Sequence, residues 1–282
     1  MSFQNLLKLV PACLLFCLSA CKPAISPAPN KKSEENSFIA VEEHSSLSER
    51  EEIKERSDVW NVDGVDINDI NLERKLIAFT FDDAPSRKLE SILAVFASFN
   101  EENPDCKASA TVFFNGSLFD EQTPHLLYAA CALGFELGNH THSHYDLTSL
   151  DKQGLIEEID KTDKLLEQAD GKQRHLLRAP FGKTNDLLKE VASTPIIDWT
   201  IDTLDWTGTS EQEIYDSVFN NRFSGAIVLM HDGYEHTMSA LKRLLPDLKA
   251  DGYQVVSVSK MIKAHGCTFQ RGKVYIRARK VK

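Results

Sequence analysis

From Lys75 onward, short runs of apolar, β-branched and aromatic residues alternate about seven times with stretches whose apolar residues recur at helical spacing. The strand-like runs are "KLIAFTF", "SATVFFNG", "FELGN", "HLLRAP", "PIIDWTID", "GAIVLMHD" and "YQVVSVS". Between them lie helix-like stretches such as "SRKLESILAVFASF", "TPHLLYAACALG" with Gly134 as its stop, and the strongly amphipathic "SLDKQGLIEEIDKTDKLLEQA". Alternation of this kind implies βα units and parallel strands, and hence an α/β fold. Over some 200 residues it predicts a closed or nearly closed (β/α) barrel rather than an open sheet. No Gly-rich phosphate turn follows the first strand, where "FDDAP" stands instead.

The chain before this region reads differently. Lys8 precedes the apolar run 9–20, which is too short to span a bilayer and has the pattern of a secretory signal. It ends in "LSAC", which resembles the bacterial lipobox; residues 1–20 are then a lipoprotein-type signal peptide and Cys21 the lipidation site, anchoring the protein to a membrane. The location expected is the bacterial envelope, at the outer or the cytoplasmic membrane. Residues 21–57, rich in Pro, Ser, Glu, Lys and Asn, read as a flexible tether. Residues 58–267 form the expected folded domain, and 268–282 a basic C-terminal segment, read as a hairpin turning at Arg271 and Gly272. The formal charge of −10 argues against nucleic acid as a partner. No protein partner is predicted. Of the cysteines beyond Cys21, the three at 106, 131 and 267 allow at most one disulfide and match no Cys-rich zinc site.

The unusual polar residues gather at C-terminal strand ends, where βα barrels place their sites. Asp82 and Asp83 follow strand one, "HTHSH" follows strand three, and Arg178 ends strand four. Asp202, Asp205 and Trp206 follow strand five, and His231 and Asp232 end strand six. Turn-forming or cap roles would explain Asp232 or Asp205 singly, but not five clusters together. Adjacent carboxylates repel unless a positive charge sits near, and a divalent metal supplies one. On a strand, His140, His142 and His144 would share one face; on a helix, His140 and His144 would pair and His142 would point away. Two histidines four apart plus one carboxylate form a common zinc set that leaves a position open for water.

Together, "TFDDAP", "HTHSH", "RAPFG", "WTIDTLDW" and "LMH" resemble, in order, the motifs of the polysaccharide deacetylases of the NodB-homology group, carbohydrate esterase family 4. The resemblance covers roughly residues 75–264. It implies a distorted (β/α) barrel of about seven parallel strands. It implies a divalent metal, zinc first and cobalt or a similar ion second, held by Asp83, His140 and His144. Asp82 would be the general base, His231 the general acid, Arg178 the residue orienting the base, and Asp202 the residue tuning the acid. Pro180, Phe181, Trp206 and Leu229 would line the acetate pocket, and the Phe181 N–H would stabilise the oxyanion. Ala84 replaces a usual glycine, which predicts strain if the bend there needs positive φ; Phe181 replaces a usual tyrosine.

The reaction so implied is hydrolytic deacetylation of an N-acetylated polysaccharide, first N-acetylglucosamine residues of peptidoglycan or another envelope glycan. An O-acetyl xylan-type esterase with the same site, or an inactive glycan-binding barrel, are the alternatives. His44 falls in the tether, and His125, His175, His236 and His265 read as surface or capping residues rather than ligands.

Overall fold

The structure, a computed structural model, describes residues 58–278. The expected signal peptide, the lipidation site at Cys21 and the expected tether fall outside the described residues. Within them, no helix is long and apolar enough to cross a membrane.

The barrel is built around β1 (Lys75–Ala84), which is buried along nearly all its length. A parallel strand covered on both faces has no use for polar alternation, so "LIAFTF" reads as a continuous apolar run. It pairs in parallel with β6 (Ile227–His231) through residues 78–82, with β2 (Thr111–Phe114) through its C-terminal half, and with β7 (Tyr253–Val256) through residues 75–78. β3 (Glu136–Asn139) lies beyond β2. On the far side β5 (Ile201–Asp202) flanks β6.

Two expected strands take another form. "HLLRAP" makes only single-residue bridges, Leu177 pairing with Asn139 on one side and Ile196 on the other. Past Arg178 the chain turns into Pro180, which has no N–H to extend a ladder. "PIIDWTID" is split into β4 (Ile196–Ile197) and β5. The lower part of that gap is filled by β8 (Val274–Tyr275), which runs parallel to β4, and by Arg277, which bridges Ala226 at the foot of β6. The wall therefore runs β1, β2, β3, Leu177, β4–β5, β6 and back to β1, a distorted (β/α) barrel. The expected C-terminal hairpin is not formed. β8 is wall, and Phe269 and Ala278 are buried. The turn at Gly272 takes φ 67, where an added Cβ would meet Lys189 O at 2.1 Å.

Helices cover the outside. α1 (Leu89–Glu102) buries Leu89, Ile92, Leu93, Phe96 and Phe99, a helical stripe whose Phe96 meets Phe81 edge-on. α2 (Thr123–Ala132) follows β2. α3 (Lys152–Asp170) opens on the Asp151 side chain, which accepts from Gly154 N, and closes on Gly171 at φ 72. Its buried face is unusual, because Glu158, Thr162 and Asp163 sit among Leu155, Ile159 and Leu166. α4 (Asp186–Val191), α5 (Glu211–Asn221), α6 (Glu235–Ala250) and α7 (Val258–His265) complete the shell. Cys106, Cys131 and Cys267 form no disulfide with one another.

Candidate active site

Strand pairing sets the first part of the site. Asp82 on β1 is in register with His231 on β6, as Thr80 is with Leu229. Partners in a parallel pair point to the same face, so Thr80, Asp82, Leu229 and His231 all face the barrel interior, while Phe81 faces α1. Asp83 should then point outwards. It does not, because its φ is 62 and the β1–β2 register shifts between Phe81 and Ala84. This irregularity turns a second carboxylate onto the same site as the first. It also answers the question of Ala84. The positive φ falls on Asp83, and Ala84 is an ordinary buried residue without the expected strain.

The histidine loop is not a helix. Residues 140–146 form an irregular turn in which Thr141 has φ 69 and His144 φ 56. These two left-handed residues, not helical periodicity, bring His140 and His144 together, with ring centroids 4.9 Å apart. Thr141 Oγ1 accepts from His144 N at 3.2 Å and tightens the turn. His142 packs elsewhere, its Nδ1 beside Gly116. Nε2 of His140 and of His144 lie 3.5 and 3.2 Å from Asp83 Oδ1. Burial first, and the neighbouring His140 second, lower the His144 pKa, which favours the neutral ring. Burial pushes the Asp83 carboxyl upward, but the His140 hydrogen bond and the surrounding imidazoles outweigh it and hold the pKa at about 2.

Arg178 is wholly buried under this cluster. Its Nη1 donates to Asp82 Oδ1 at 2.8 Å and to Thr80 Oγ1 at 2.6 Å, and its Nε to Ile197 O at 2.9 Å. The guanidinium also stacks over Phe113, 4.3 Å from the ring centre. So many fixed contacts leave Asp82 a single orientation. The Arg178 carbonyl adds a second constraint, because it lies 2.8 Å from His140 Nδ1. A carbonyl only accepts, so Nδ1 carries the proton and Nε2 presents its lone pair to the cluster.

The partner of His231 is Asp205, not Asp202. Asp205 is fully buried, and its Oδ1 sits 2.7 Å from His231 Nδ1 while Oδ2 accepts from His231 N at 2.8 Å and from Thr237 Oγ1 at 2.7 Å. Asp202 instead accepts from Leu204 N and shapes the turn before Asp205. Burial opposes a charged His231, but the Asp205 hydrogen bond and the carboxylates of Asp82, Asp205 and Asp83 outweigh it, so the His231 pKa is raised. The reading of Asp205 as a mere turn residue fails on these contacts. The same reading suits Asp232, which is buried and accepts from Ser86 N at 2.7 Å, and whose carboxyl burial pushes up to about 7.

The other predicted residues line the rim. Phe181 is exposed, sits in a 3₁₀ turn at Pro180–Gly182 with φ 62, and packs its ring 4.8 Å from that of His144. Trp206 is exposed beside Asp205, Pro180 is buried, and Leu229 is buried between Thr80 and Asp202 in the strand register. Sequence reasoning missed two histidines. His236 donates to Asp205 O at 2.8 Å, and His175 is buried between two carboxylates.

The donor atoms of Asp83, His140 and His144 all lie within 4.8 Å of one another. Two imidazole nitrogens, that of His140 with its lone pair fixed inwards, and one carboxylate fit a divalent ion of the zinc type. Fold and site together define a (β/α)-barrel protein with a two-histidine, one-carboxylate cluster that could hold a metal ion on its C-terminal rim. A family model described as polysaccharide deacetylase matches residues 69–195. The chain is 33% identical over 201 residues to the peptidoglycan-N-acetylglucosamine deacetylase PgdA of Listeria monocytogenes, covering 71% of this chain and 41% of that protein. It is 32% identical over 198 residues to a peptidoglycan-N-acetylglucosamine deacetylase of Bacillus cereus, covering 67% of this chain and 89% of that protein. Among solved structures, that of T48 deacetylase with substrate superposes with a TM-score of 0.67 at 29% identity, over 73% of this chain and 99% of that one. This chain belongs to the polysaccharide deacetylase family. It spans only about two-fifths of the length of the Listeria relative.

Proposed function

We propose that the protein is a metal-dependent N-deacetylase of an N-acetylated polysaccharide, with N-acetylglucosamine residues of peptidoglycan as its first substrate. The observation that carries this reading is the pairing of an Arg178-locked carboxylate, Asp82, with an Asp205-locked imidazole, His231, in register on adjacent strands beside the metal-ligand set. Asp83, His140 and His144 would hold the ion, for which zinc suits the donors best and cobalt is the next candidate. When bound, it would supply Lewis acidity to an acetyl carbonyl.

The rest falls to the side chains. Asp82, acceptor-only and held by Arg178, takes a proton from the attacking water as its oxygen bonds to the acetyl carbon. His231 gives its Nε2 proton to the sugar nitrogen as the C–N bond breaks, leaving acetate and a free amine. Asp205 supports the imidazolium before that transfer and fixes which nitrogen faces the substrate. Base and acid differ in kind and in partner, Arg178 holding the one and Asp205 the other. Pro180, Phe181, Trp206 and Leu229 form the walls we assign to the acetyl group, with the Phe181 N–H as oxyanion donor.

Support for the glycan comes from the peptidoglycan substrates in the names of the Listeria and Bacillus cereus relatives. The same names suit an envelope location, and we propose lipidation at Cys21 as its means. Labelling with radioactive palmitate should mark the wild-type chain and leave Cys21→Ala unlabelled. For the activity, the zinc-loaded protein is offered peptidoglycan and acetylxylan, and acetate is measured. Faster release from peptidoglycan is expected. Release from acetylxylan alone would move the assignment to O-acetyl esters.

A further inference from the structure

Beneath the ligand loop lies a buried charged chain that the proposed reaction does not use. His175, 2% exposed, sets Nδ1 2.9 Å from Asp163 Oδ1 and Nε2 3.2 Å from Asp170 Oδ1. A neutral imidazole has one N–H, so one of these contacts would set a lone pair against a carboxylate. Only the imidazolium satisfies both. Asp163 Oδ1 also accepts from Asn139 Nδ2 at 2.9 Å, and that same amide nitrogen donates to Ile159 O at 2.9 Å. With its nitrogen so committed, Asn139 has to turn Oδ1 the other way, where it accepts from Thr141 N at 2.8 Å. Thr141 is the left-handed residue that folds His144 back towards His140. The chain thus runs from His175 through Asp163 and Asn139 into the turn that defines the ligand pair.

We propose that His175, doubly protonated, is a positioning residue for the metal-ligand loop, acting through Asp163 and Asn139 to set the geometry at which His140 and His144 present their donors. This rests on Asp83, His140 and His144 being the ligands. The charged groups around His175 are Asp163 and Asp170 from α3, with Lys172 and Arg174 from the turn that follows. Arg174 Nη1 reaches Asp163 Oδ2 at 3.4 Å and Asp160 Oδ1 at 2.6 Å. Within the chain, none of His175, Asp163 and Asn139 is among the groups assigned to the reacting atoms. Its effect should therefore appear in metal affinity before anything else, as with other groups that orient ligands from behind.

The test measures zinc affinity by competition with a chromophoric chelator, on the full chain, for wild type, His175→Phe, Asn139→Ala and the double variant. Each single change should weaken zinc binding about ten- to a hundredfold. Because both act along one network, the double variant should bind no more weakly than the weaker single. Wild-type affinity in His175→Phe, or losses that multiply in the double variant, would overturn the proposal. Should the variants not fold, nitrogen-15 NMR of the wild-type protein at pH 7 decides: both His175 ring nitrogens must carry protons, and a neutral ring defeats the idea. A wild-type protein that binds no zinc would instead defeat the ligand assignment and leave its cause elsewhere than His175.

Discussion

Single side chains in this site owe their chemistry to one neighbour each. Asp205 holds His231 and raises its pKa, and Arg178 keeps Asp82 in place. The first pair gives a pH prediction. A raised pKa keeps His231 charged at higher pH, so the acid form and its activity are lost as pH rises through that value. Asp205→Asn removes the carboxylate that raises it, and the alkaline limb of kcat/KM should move to lower pH with a fall in kcat of about tenfold or more. An unchanged limb would mean that Asp205 does not set the acid. The sequence showed two aspartates after strand five and offered no way to choose between them. Leu204, left-handed at φ 53 with its N–H on Asp202, turns the second one into the barrel. The same limit hid His175. A histidine in a polar stretch reads as surface until the two carboxylates that solvate it are seen.

Elements place these residues through small departures from regularity. β1 carries two neighbouring carboxylates to one site by a positive φ at Asp83, and the loop after β3 pairs His140 with His144 through left-handed Thr141 and His144. Non-glycine residues adopt such angles rarely, and periodicity does not announce them. Of the strand and helix arrangements open to the three histidines, neither is found, and an irregular turn sets His140 beside His144 and His142 apart from them. Equilibrium dialysis should show that His142→Ala keeps about one zinc per chain while His140→Ala and His144→Ala lose it. Loss in His142→Ala would contradict the ligand set. At the C-terminal turn, Gly272→Ala forces both an unfavourable φ and a clash with Lys189 O. Urea denaturation should show a loss of about 1–3 kcal/mol; no loss would mean that the turn relaxes freely.

The described residues form a barrel whose class the sequence announces and whose closure it conceals. Seven-fold alternation made the parallel βα architecture readable. The wall segment at Leu177 is a single bridge, and the gap beside β4 is filled by β8 from the chain's far end, neither of which leaves a strand-length signal. A site assembled from β1, the loop after β3, Arg178, Asp205 and β6 draws on most of the barrel, so occupying it should steady the fold as a unit. Zinc at a hundred times its Kd adds about 2.7 kcal/mol, which for a domain of this size is a rise in Tm of about 5–10 °C. A chelator should reverse it, and a Tm indifferent to zinc would argue against the site. The most direct test of the central claim is acetate release from an N-acetylglucosamine polymer by the wild-type protein and by Asp82→Asn, each with a chelator and with zinc restored. The account predicts release by the wild type with zinc, near-baseline release with the chelator, and a fall of at least about a hundredfold in Asp82→Asn with zinc binding intact. Equal release in all four samples, or none from the zinc-loaded wild type, would contradict it.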